Sequence, residues 1–247
     1  MYNFFIKDLD LTSDVYNVTG ADFNHLKNVL RMKIGDELLI SDGTKSHLCK
    51  IQDFTSDTAV CRLLERDYLD TSLPLEIHLF QGLPKSDKME LIIQKAVELG
   101  VTEITPVEMN RSIVKIEEKK KDQKTARWQS IAESAAKQSK RNVIPKINSP
   151  VNYKKALDSI KDLDVLLIPY ESKNGMEDTK SALCALKRGF KVGIMIGPEG
   201  GFDIKEIEDG LAVGGKVISL GKRILRTETA AITAVAMVML HAEMNIK

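Results

Sequence analysis

The chain has 247 residues, of which 43% are hydrophobic and 29% are charged, an ordinary composition for a globular protein of one large or two small domains. Because 36 Lys and Arg residues nearly balance 35 Asp and Glu residues, no overall positive field indicates a nucleic-acid partner, which has to be inferred from local clusters. Three widely spaced cysteines and four scattered histidines favour a cytoplasmic protein with reduced thiols and no metal site. The longest apolar run, residues 230–240, is too short to span a bilayer, and no signal peptide is predicted, so we expect no membrane partner.

The first part of the chain carries short alternating segments that predict a small antiparallel β unit. One helix is predicted over 21–31, where Phe23, Leu26 and Leu30 recur at helical spacing. A small barrel with one helix fits this pattern. The predicted strands are 3–6, 15–18, 37–41, 47–54 and 58–64.

The pattern changes at residues 67–74 from alternating strands to strands separated by helices. Capping pairs predict the starts of two of these helices, Asp87 with Glu90 and Asp203 with Glu206. The alternation of strands and helices is typical of βαβ units in a parallel sheet. The sequence therefore predicts a small β domain over 1–70 and an α/β domain over 73–247.

Two glycine turns near the C-terminus are the strongest candidates for a functional site. GPEGG at 197–201 follows one buried strand, and LGKRILRTET at 220–229 begins at the end of the next. A third predicted strand ends near Tyr170. Because the carboxyl ends of parallel strands meet at one edge of a sheet, these turns predict a ligand crevice, although each alone is also a common structural device. GPEGG lacks the dinucleotide fingerprint and a Walker lysine, and the chain has no GxSxG serine, so neither a nucleotide-phosphate site nor a serine nucleophile is predicted.

Five spaced motifs lie in both halves of the chain: HLKNVLRMKIGDEL (25–38), KSDKMELIIQKAVELGVTEITPVEMNRS (85–112), RWQSIAESAAKQSKRNVIP (127–145), IGPEGGF (196–202) and LGKRILRTETAA (220–231). Together they resemble the bacterial 16S ribosomal RNA (uracil-N3)-methyltransferases of the SPOUT superfamily. The resemblance implies an N-terminal PUA-like β-barrel and a C-terminal SPOUT α/β domain whose end is tied in a trefoil knot. It also implies S-adenosylmethionine as cofactor, 16S rRNA or the small ribosomal subunit as partner, and a homodimer.

The resemblance further implies which residues form the site. The three knot loops would be 168–171, 195–201 and 220–225, and Arg226 would be the catalytic residue that faces the uracil. Relatives often carry an arginine near the place of Asn3, so the share of the N-terminal domain in RNA contact stays open. The implied cofactor-binding residues are Ile168, Tyr170, Glu171, Met195, Ile196, Gly197, Pro198, Glu199, Gly200, Gly201, Leu220, Gly221, Ile224 and Leu225. The RNA-binding candidates are Arg31, Lys85, Lys88, Arg111, Lys137 and Arg141, each of which by itself is more typical of a solvated surface.

The implied reaction transfers a methyl group to N3 of a uridine. Arg226 and main-chain N–H groups at the start of the last helix would stabilise negative charge on the uracil oxygens. Glu199, Glu228 and solvent are open alternatives for the proton acceptor. Two other functions stay open: a methyltransferase of this architecture that acts on another nucleotide, and a non-catalytic RNA-binding protein.

Overall fold

A computed structural model of the chain describes residues 1–6, 8–85, 87–171 and 175–246. The chain divides into two compact units. Unit 1 comprises Met1–Ser72 and Ala136–Ile144, and unit 2 comprises Leu73–Ala135 and Pro145–Lys247. Sequence patterning assigns 136–144 to the second domain, so the presence of this segment in unit 1 is a feature that only the structure reveals.

Five strands form the sheet of unit 1: β1 (Asn3–Phe5), β2 (Val15–Thr19), β3 (Glu37–Ser41), β4 (Ser46–Phe54) and β5 (Thr58–Leu69). Their order in the sheet is β1-β3-β4-β5-β2. β1 pairs with β3 in parallel, and the other pairs are antiparallel. The prediction of a wholly antiparallel unit is therefore wrong for β1, because the chain between β1 and β3 is long enough to supply the crossover that a parallel pair needs.

One hydrophobic core lies inside this sheet. It contains Phe4 from β1, Val18 from β2, Ile40 from β3 and Ile51 from β4, together with Leu26 from the helical segment between β2 and β3. That segment is a short helix, α1 (Gly20–Asn24), followed directly by a π-helical turn at His25–Val29, where a single regular helix is predicted. Because strands from the whole sheet contribute to one core, the sheet curls around it.

The segment 136–144 is held in unit 1 by hydrogen bonds that are distant in sequence. Asn3, which is buried, donates through Nδ2 to the main-chain oxygen of Arg141 at 2.8 Å. Ser41 Oγ donates to the main-chain oxygen of Asn142 at 2.6 Å. The Lys137 ammonium lies 2.7 Å from an Asp22 carboxylate oxygen. Asn3 therefore has a structural role in which its side chain is already engaged.

Seven strands form the sheet of unit 2: β6 (Glu76–Gly82), β7 (Glu103–Glu108), β8 (Lys146–Ile147), β9 (Val151–Asn152), β10 (Val165–Pro169), β11 (Lys191–Ile196) and β12 (Lys216–Ile218). The order is β12-β10-β11-β6-β7-β8, with β9 also paired to β7, and every pair is parallel. The predicted parallel α/β sheet is confirmed. Strand order places the carboxyl ends of β10, β11 and β12 side by side, while the threading that would make a knot stays a prediction.

The helices of unit 2 bear out one predicted cap and contradict another. At the start of α6 the Asp203 and Glu206 side chains form the predicted capping box. At the start of α2 the Asp87 side chain makes no cap hydrogen bond, because its backbone, with φ −87° and ψ 3°, lacks the extended conformation of a capping residue. Glu90 pairs with Arg127 at 2.7 Å. Across the described part of the chain no helix is both long and apolar enough to cross a membrane. The helices are α2 (Lys88–Glu98), α3 (Glu118–Gln138), which runs into the 136–144 segment, α4 (Tyr153–Ser159), α5 (Glu177–Cys184), α6 (Ile204–Ala212) and α7 (Thr227–Asn245).

Candidate active site

A cavity of about 360 Å³ opens where β10, β11 and β12 end. Its walls come from the three loops that follow these strands and from the first turns of α7. Its lining combines glycines and apolar residues with a smaller number of polar and charged ones, which is typical of a small-molecule site. The lining residues are Pro169, Tyr170, Glu171, Ile196, Gly197, Pro198, Glu199, Gly200, Gly201, Phe202, Ser219, Leu220, Gly221, Arg223, Ile224, Leu225, Arg226, Thr227 and Ala230.

The loop after β11 is a tight turn pressed against the end of β6. The Gly201 N–H donates to the Pro198 oxygen at 2.9 Å, and Gly201 has a φ of +69°, a conformation that favours glycine. A Cβ on Gly82 would lie 2.6 Å from the Pro198 nitrogen, so only glycine allows this close approach. The Arg111 guanidinium donates to the Gly200 oxygen at 3.2 Å from the side of β7. Neighbouring strand ends thus fix the position of this loop.

The loop after β12 is held by α5 and by its own turn. The Ser219 N–H donates to Thr179 Oγ1, and that hydroxyl donates to the Ser219 oxygen, both at 2.9 Å. Ser219 Oγ accepts from the Gly221 N–H at 3.1 Å, and Gly221 has a φ of +106°. The Tyr170 N–H donates to the Ile218 oxygen at 3.0 Å, which joins the loop after β10 to β12. The two loops therefore share a wall of the cavity.

A hydroxyl at the start of α7 links the cavity to the sheet. Thr227 Oγ1 donates to the Gly197 oxygen at 2.7 Å and accepts from Gln81 Nε2 at 2.9 Å. Gln81 immediately precedes Gly82, the last residue of β6, and is fully buried. The preceding residue, Arg226, is exposed and occupies the N-cap position of α7 without making a cap hydrogen bond through its side chain. Its guanidinium is thus placed at the rim of the cavity and is not needed by the helix.

Three charged side chains form a cluster beside the cavity. The Lys88 ammonium lies 3.0 Å from Glu199 Oε1 and 3.3 Å from Glu228 Oε2. Burial alone would raise the pKa of Glu199, but hydrogen bonds from its own main chain, from Lys88 and from the Lys85 N–H lower it. The pKa of Lys88 is raised, chiefly by its hydrogen bond to Glu199. Glu199 is therefore held ionised and makes a poor proton acceptor at neutral pH.

Comparison with known proteins places this chain in a family. A family model described as an RNA methyltransferase domain matches residues 71–239, and one described as an RNA methyltransferase PUA domain matches residues 18–64. The ribosomal RNA small subunit methyltransferase E of Bacillus subtilis is 36% identical over 234 residues, which cover 93% of this chain and 91% of the relative. The chain belongs to the ribosomal RNA small subunit methyltransferase E family.

Two solved structures of similar proteins contain the methyl donor. A small subunit methyltransferase E from Neisseria gonorrhoeae, bound to S-adenosylmethionine, is 30% identical with a TM-score of 0.83 over 97% of both chains. A methyltransferase from Legionella pneumophila, in complex with the same cofactor, is 30% identical with a TM-score of 0.82 over 96% of both chains. The PUA-like and SPOUT-type folds implied by the sequence motifs are thereby confirmed for this family member.

Most residues that the motifs assign to the cofactor line the cavity. The two exceptions, Ile168 and Met195, are fully buried in β10 and β11 and pack in the core beneath it. For apolar residues near the end of a strand, the sequence does not show whether the side chain lines the cavity or packs in the hydrophobic core. Predicted residues that line the cavity are Tyr170, Glu171, Ile196, Gly197, Pro198, Glu199, Gly200, Gly201, Leu220, Gly221, Ile224, Leu225 and Arg226. Lining residues that the cofactor assignment left out are Pro169, Phe202, Ser219, Arg223, Thr227 and Ala230.

The residues assigned to RNA contact fall into two groups. Arg31, Lys85 and Arg111 are exposed, and Arg31 has a φ of +53°, an uncommon conformation for a residue other than glycine. Lys88 is engaged by two carboxylates, and Lys137 pairs with Asp22. Arg141 is buried, and burial lowers its pKa to about 10. The second group therefore stabilises the fold more directly than it presents charge to a ligand.

Within the described residues, no group of three or more His, Cys, Asp or Glu side chains could hold a metal ion.

Proposed function

We propose that this protein methylates N3 of a uridine in 16S rRNA with S-adenosylmethionine as the methyl donor. The observation that carries the proposal is the cavity at the ends of β10, β11 and β12, with Arg226 at its rim. Two relatives whose folds superpose over nearly the whole chain are bound to this cofactor. The assignment of N3 of a uridine as the methylated atom rests on the family resemblance.

The residues of the cavity fit S-adenosylmethionine. A volume of about 360 Å³ lies within the range of about 300–1,000 Å³ that small-molecule sites occupy. A Cβ on Gly201 would have no atom within 4 Å, so the space beside this main chain is open to a ligand. Leu220, Leu225 and Ile196 offer apolar walls for the adenine, and neighbouring main-chain groups offer hydrogen bonds to its edge. When bound, the cofactor supplies an activated methyl group on a sulfonium sulfur.

Arg226 is the residue we assign to the chemistry. Loss of the N3 proton leaves negative charge that spreads to the flanking carbonyl oxygens of uracil. An exposed guanidinium at the rim, beside the N-terminus of α7, stabilises this charge without any rearrangement of the helix. Of the candidate proton acceptors, Glu199 is the least suited, because Lys88 and the Lys85 N–H occupy its carboxylate.

The cations near the cavity suit the backbone of an RNA substrate. Lys222, Arg223 and Arg226 are all exposed in one short loop, and Lys85 and Arg111 are exposed on neighbouring loops. Such a cluster provides phosphate contacts even though the whole chain is nearly neutral. We therefore assign 16S rRNA, free or in the small ribosomal subunit, as the partner in the cytoplasm.

We assign α7 to a homodimer contact, because Leu240 and Met244 on this helix are 49% and 71% exposed.

Mass mapping of 16S rRNA from a strain that lacks the gene, with and without a plasmid copy, tests the proposal. The deletion is expected to remove one methyl group from one uridine, and the plasmid is expected to restore it. Loss of a methyl group from another base would contradict the uridine assignment but keep the enzyme class. Calorimetric titration with S-adenosylmethionine completes the test, since an absence of binding would favour a non-catalytic RNA-binding protein.

A further inference from the structure

Lys88 occupies the first turn of α2 and is one of the residues that the sequence assigns to RNA contact. Only 28% of its side chain is exposed, and its ammonium is shared by Glu199 and Glu228. A phosphate contact would require the ammonium to leave both carboxylates, which are themselves only 27% and 14% exposed. Because partly buried carboxylates lose much more than exposed ones when a counter-ion leaves, the observed pairing is favoured over an RNA contact.

The cluster joins three segments that meet at the cavity. Glu199 belongs to the GPEGG loop and lines the cavity, whereas Glu228 lies in the first turn of α7, two residues after Arg226. The start of α2 holds the loop twice, through the Lys88 ammonium and through the Lys85 N–H, which donates to Glu199 Oε1 at 3.1 Å. One side chain, Lys88, therefore connects the loop that lines the cofactor cavity with the helix that carries the rim arginine.

The charges of the cluster explain why this connection matters. Two carboxylates share one ammonium, so the group carries a formal charge of −1 while Lys88 is present. Without the ammonium, Glu199 and Glu228 would repel each other across the junction of loop and helix. The hydrogen bond from Thr227 to Gly197 spans the same junction and would have to resist that repulsion.

We propose that Lys88 is a positioning residue of the methyl-transfer site: by holding Glu199 and Glu228 it fixes the GPEGG loop against the start of α7. The inference rests on the proposed function, because the loop is taken to bind S-adenosylmethionine. Lys88 acts through the two carboxylates and lines no part of the cavity. Its loss is expected to act on cofactor affinity and not on the electrostatic attraction of RNA.

Lys88→Met and Lys85→Met form a matched pair, since each removes one lysine charge from the same turn of the chain. The Lys85 side chain is exposed, and its contact with Glu199 is made by the main-chain N–H, which the substitution keeps. We expect Lys88→Met to weaken S-adenosylmethionine binding about tenfold in calorimetry and to leave the salt dependence of RNA binding unchanged. We expect Lys85→Met to leave cofactor affinity unchanged and to lower the slope of log K against log salt by about one. Lys88→Arg, which keeps the charge, should recover most of the affinity.

The outcomes separate the inference from the function beneath it. If the unaltered protein binds S-adenosylmethionine and Lys88→Met binds it equally well, the inference is overturned and the proposed function stands. A lowered salt slope in Lys88→Met with normal cofactor affinity would return Lys88 to RNA contact. If the unaltered protein does not bind the cofactor, the proposed function and the inference both fall. Should Lys88→Met fail to fold, the double variant Lys88→Met/Glu228→Gln replaces it, because it removes one of the two carboxylates together with the ammonium. Cofactor binding about threefold weaker than wild type in this variant supports the inference. Wild-type affinity overturns it.

Discussion

The helices that follow the two glycine loops begin in opposite ways. At the start of α6, the Asp203 side chain accepts from the Lys205 N–H at 3.1 Å, and the Glu206 carboxylate accepts from the Asp203 N–H at 2.8 Å. Glu206 is 3% exposed and also accepts from the Asn110 N–H at 2.8 Å. At the start of α7 the N-cap residue is Arg226, and it makes no side-chain cap hydrogen bond. One helix end is closed by its own carboxylates, and the other presents a cation.

The difference assigns separate roles to the two loops. The capping box occupies the Lys205 and Asp203 N–H groups with the protein's own carboxylates, so we expect the start of α6 to serve in anchoring the GPEGG loop. The uncapped start of α7 keeps the partial positive charge of the helix N-terminus next to the Arg226 guanidinium. We therefore expect negative charge that develops on a substrate to be stabilised at the second end and not at the first. Substitutions at the two helix starts are therefore expected to affect different properties of the protein.

Arg226→Ala is expected to have the largest effect. Removal of the guanidinium should lower kcat/KM for methyl transfer to small ribosomal subunits by about 100- to 1,000-fold, as the loss of a donor to developing negative charge does elsewhere. Binding of S-adenosylmethionine should change little, because the cavity walls other than Arg226 stay intact. Transfer of a labelled methyl group and calorimetry measure the two quantities.

Arg226→Lys provides the control for charge without the planar guanidinium fork, and intermediate turnover is expected. Turnover of Arg226→Ala within about threefold of wild type would remove Arg226 from the chemistry. A loss of cofactor binding as large as the loss of turnover would instead make Arg226 a cofactor ligand.

Thr227→Val is the next largest change at the open helix start. It removes the hydroxyl that donates to the Gly197 oxygen and accepts from the buried Gln81 amide, which keeps its other hydrogen bond, to the Gly82 oxygen. This loss should lower the free energy of unfolding by about 1–3 kcal/mol. Thr229→Val is a matched control, since Thr229 lies in the same turn of α7 and is exposed, and it should change stability by less than about 0.5 kcal/mol. Urea denaturation measures both. Equal stability of the two variants would show that the hydroxyl of Thr227 does not tie α7 to the loop.

Features set by a few neighbouring residues were predictable from the sequence. The capping box of Asp203 and Glu206 is one, because its donors and acceptors lie within four residues of each other. The turns at Gly201 and Gly221 are others, since glycine is the residue type that readily adopts the positive φ found at both positions. Even at this range the prediction for Asp87 is wrong, because its backbone does not adopt the extended conformation that capping needs, and Glu90 pairs with the distant Arg127.

Features set by contacts distant in sequence were not predictable. Lys88 and Glu199 are 111 residues apart, so no local pattern shows that this lysine is engaged. The Asn3 side chain donates to the Arg141 oxygen across 138 residues, so patterning alone does not show that the 136–144 segment packs with unit 1. Charged residues at loop ends look alike in a sequence, and only packing separates the buried Arg141 from the exposed Arg223.

Arg223→Ala should have a smaller effect than the changes at the helix start. Arg223 is exposed in the loop before α7, so its loss should weaken RNA binding about three- to tenfold and lower the salt slope by about one. The maximal rate at saturating RNA should stay near wild type. Filter binding at several salt concentrations checks the first expectation, and a fall in the saturated rate comparable to that of Arg226→Ala would place Arg223 in the chemistry as well.

Asp203→Ala, which removes the cap at the start of α6, is expected to have the smallest effect on function. Loss of the N-cap carboxylate leaves the Lys205 N–H without its acceptor and should lower the free energy of unfolding by about 1 kcal/mol. Turnover and cofactor affinity should stay within about twofold of wild type, because the first turn of α6 contributes no group to the cavity. Asp203→Asn should recover most of the stability, since an asparagine oxygen also caps a helix. A tenfold loss of turnover in stably folded Asp203→Ala would mean that the closed helix start takes part in the reaction, and the division of roles between α6 and α7 would be wrong.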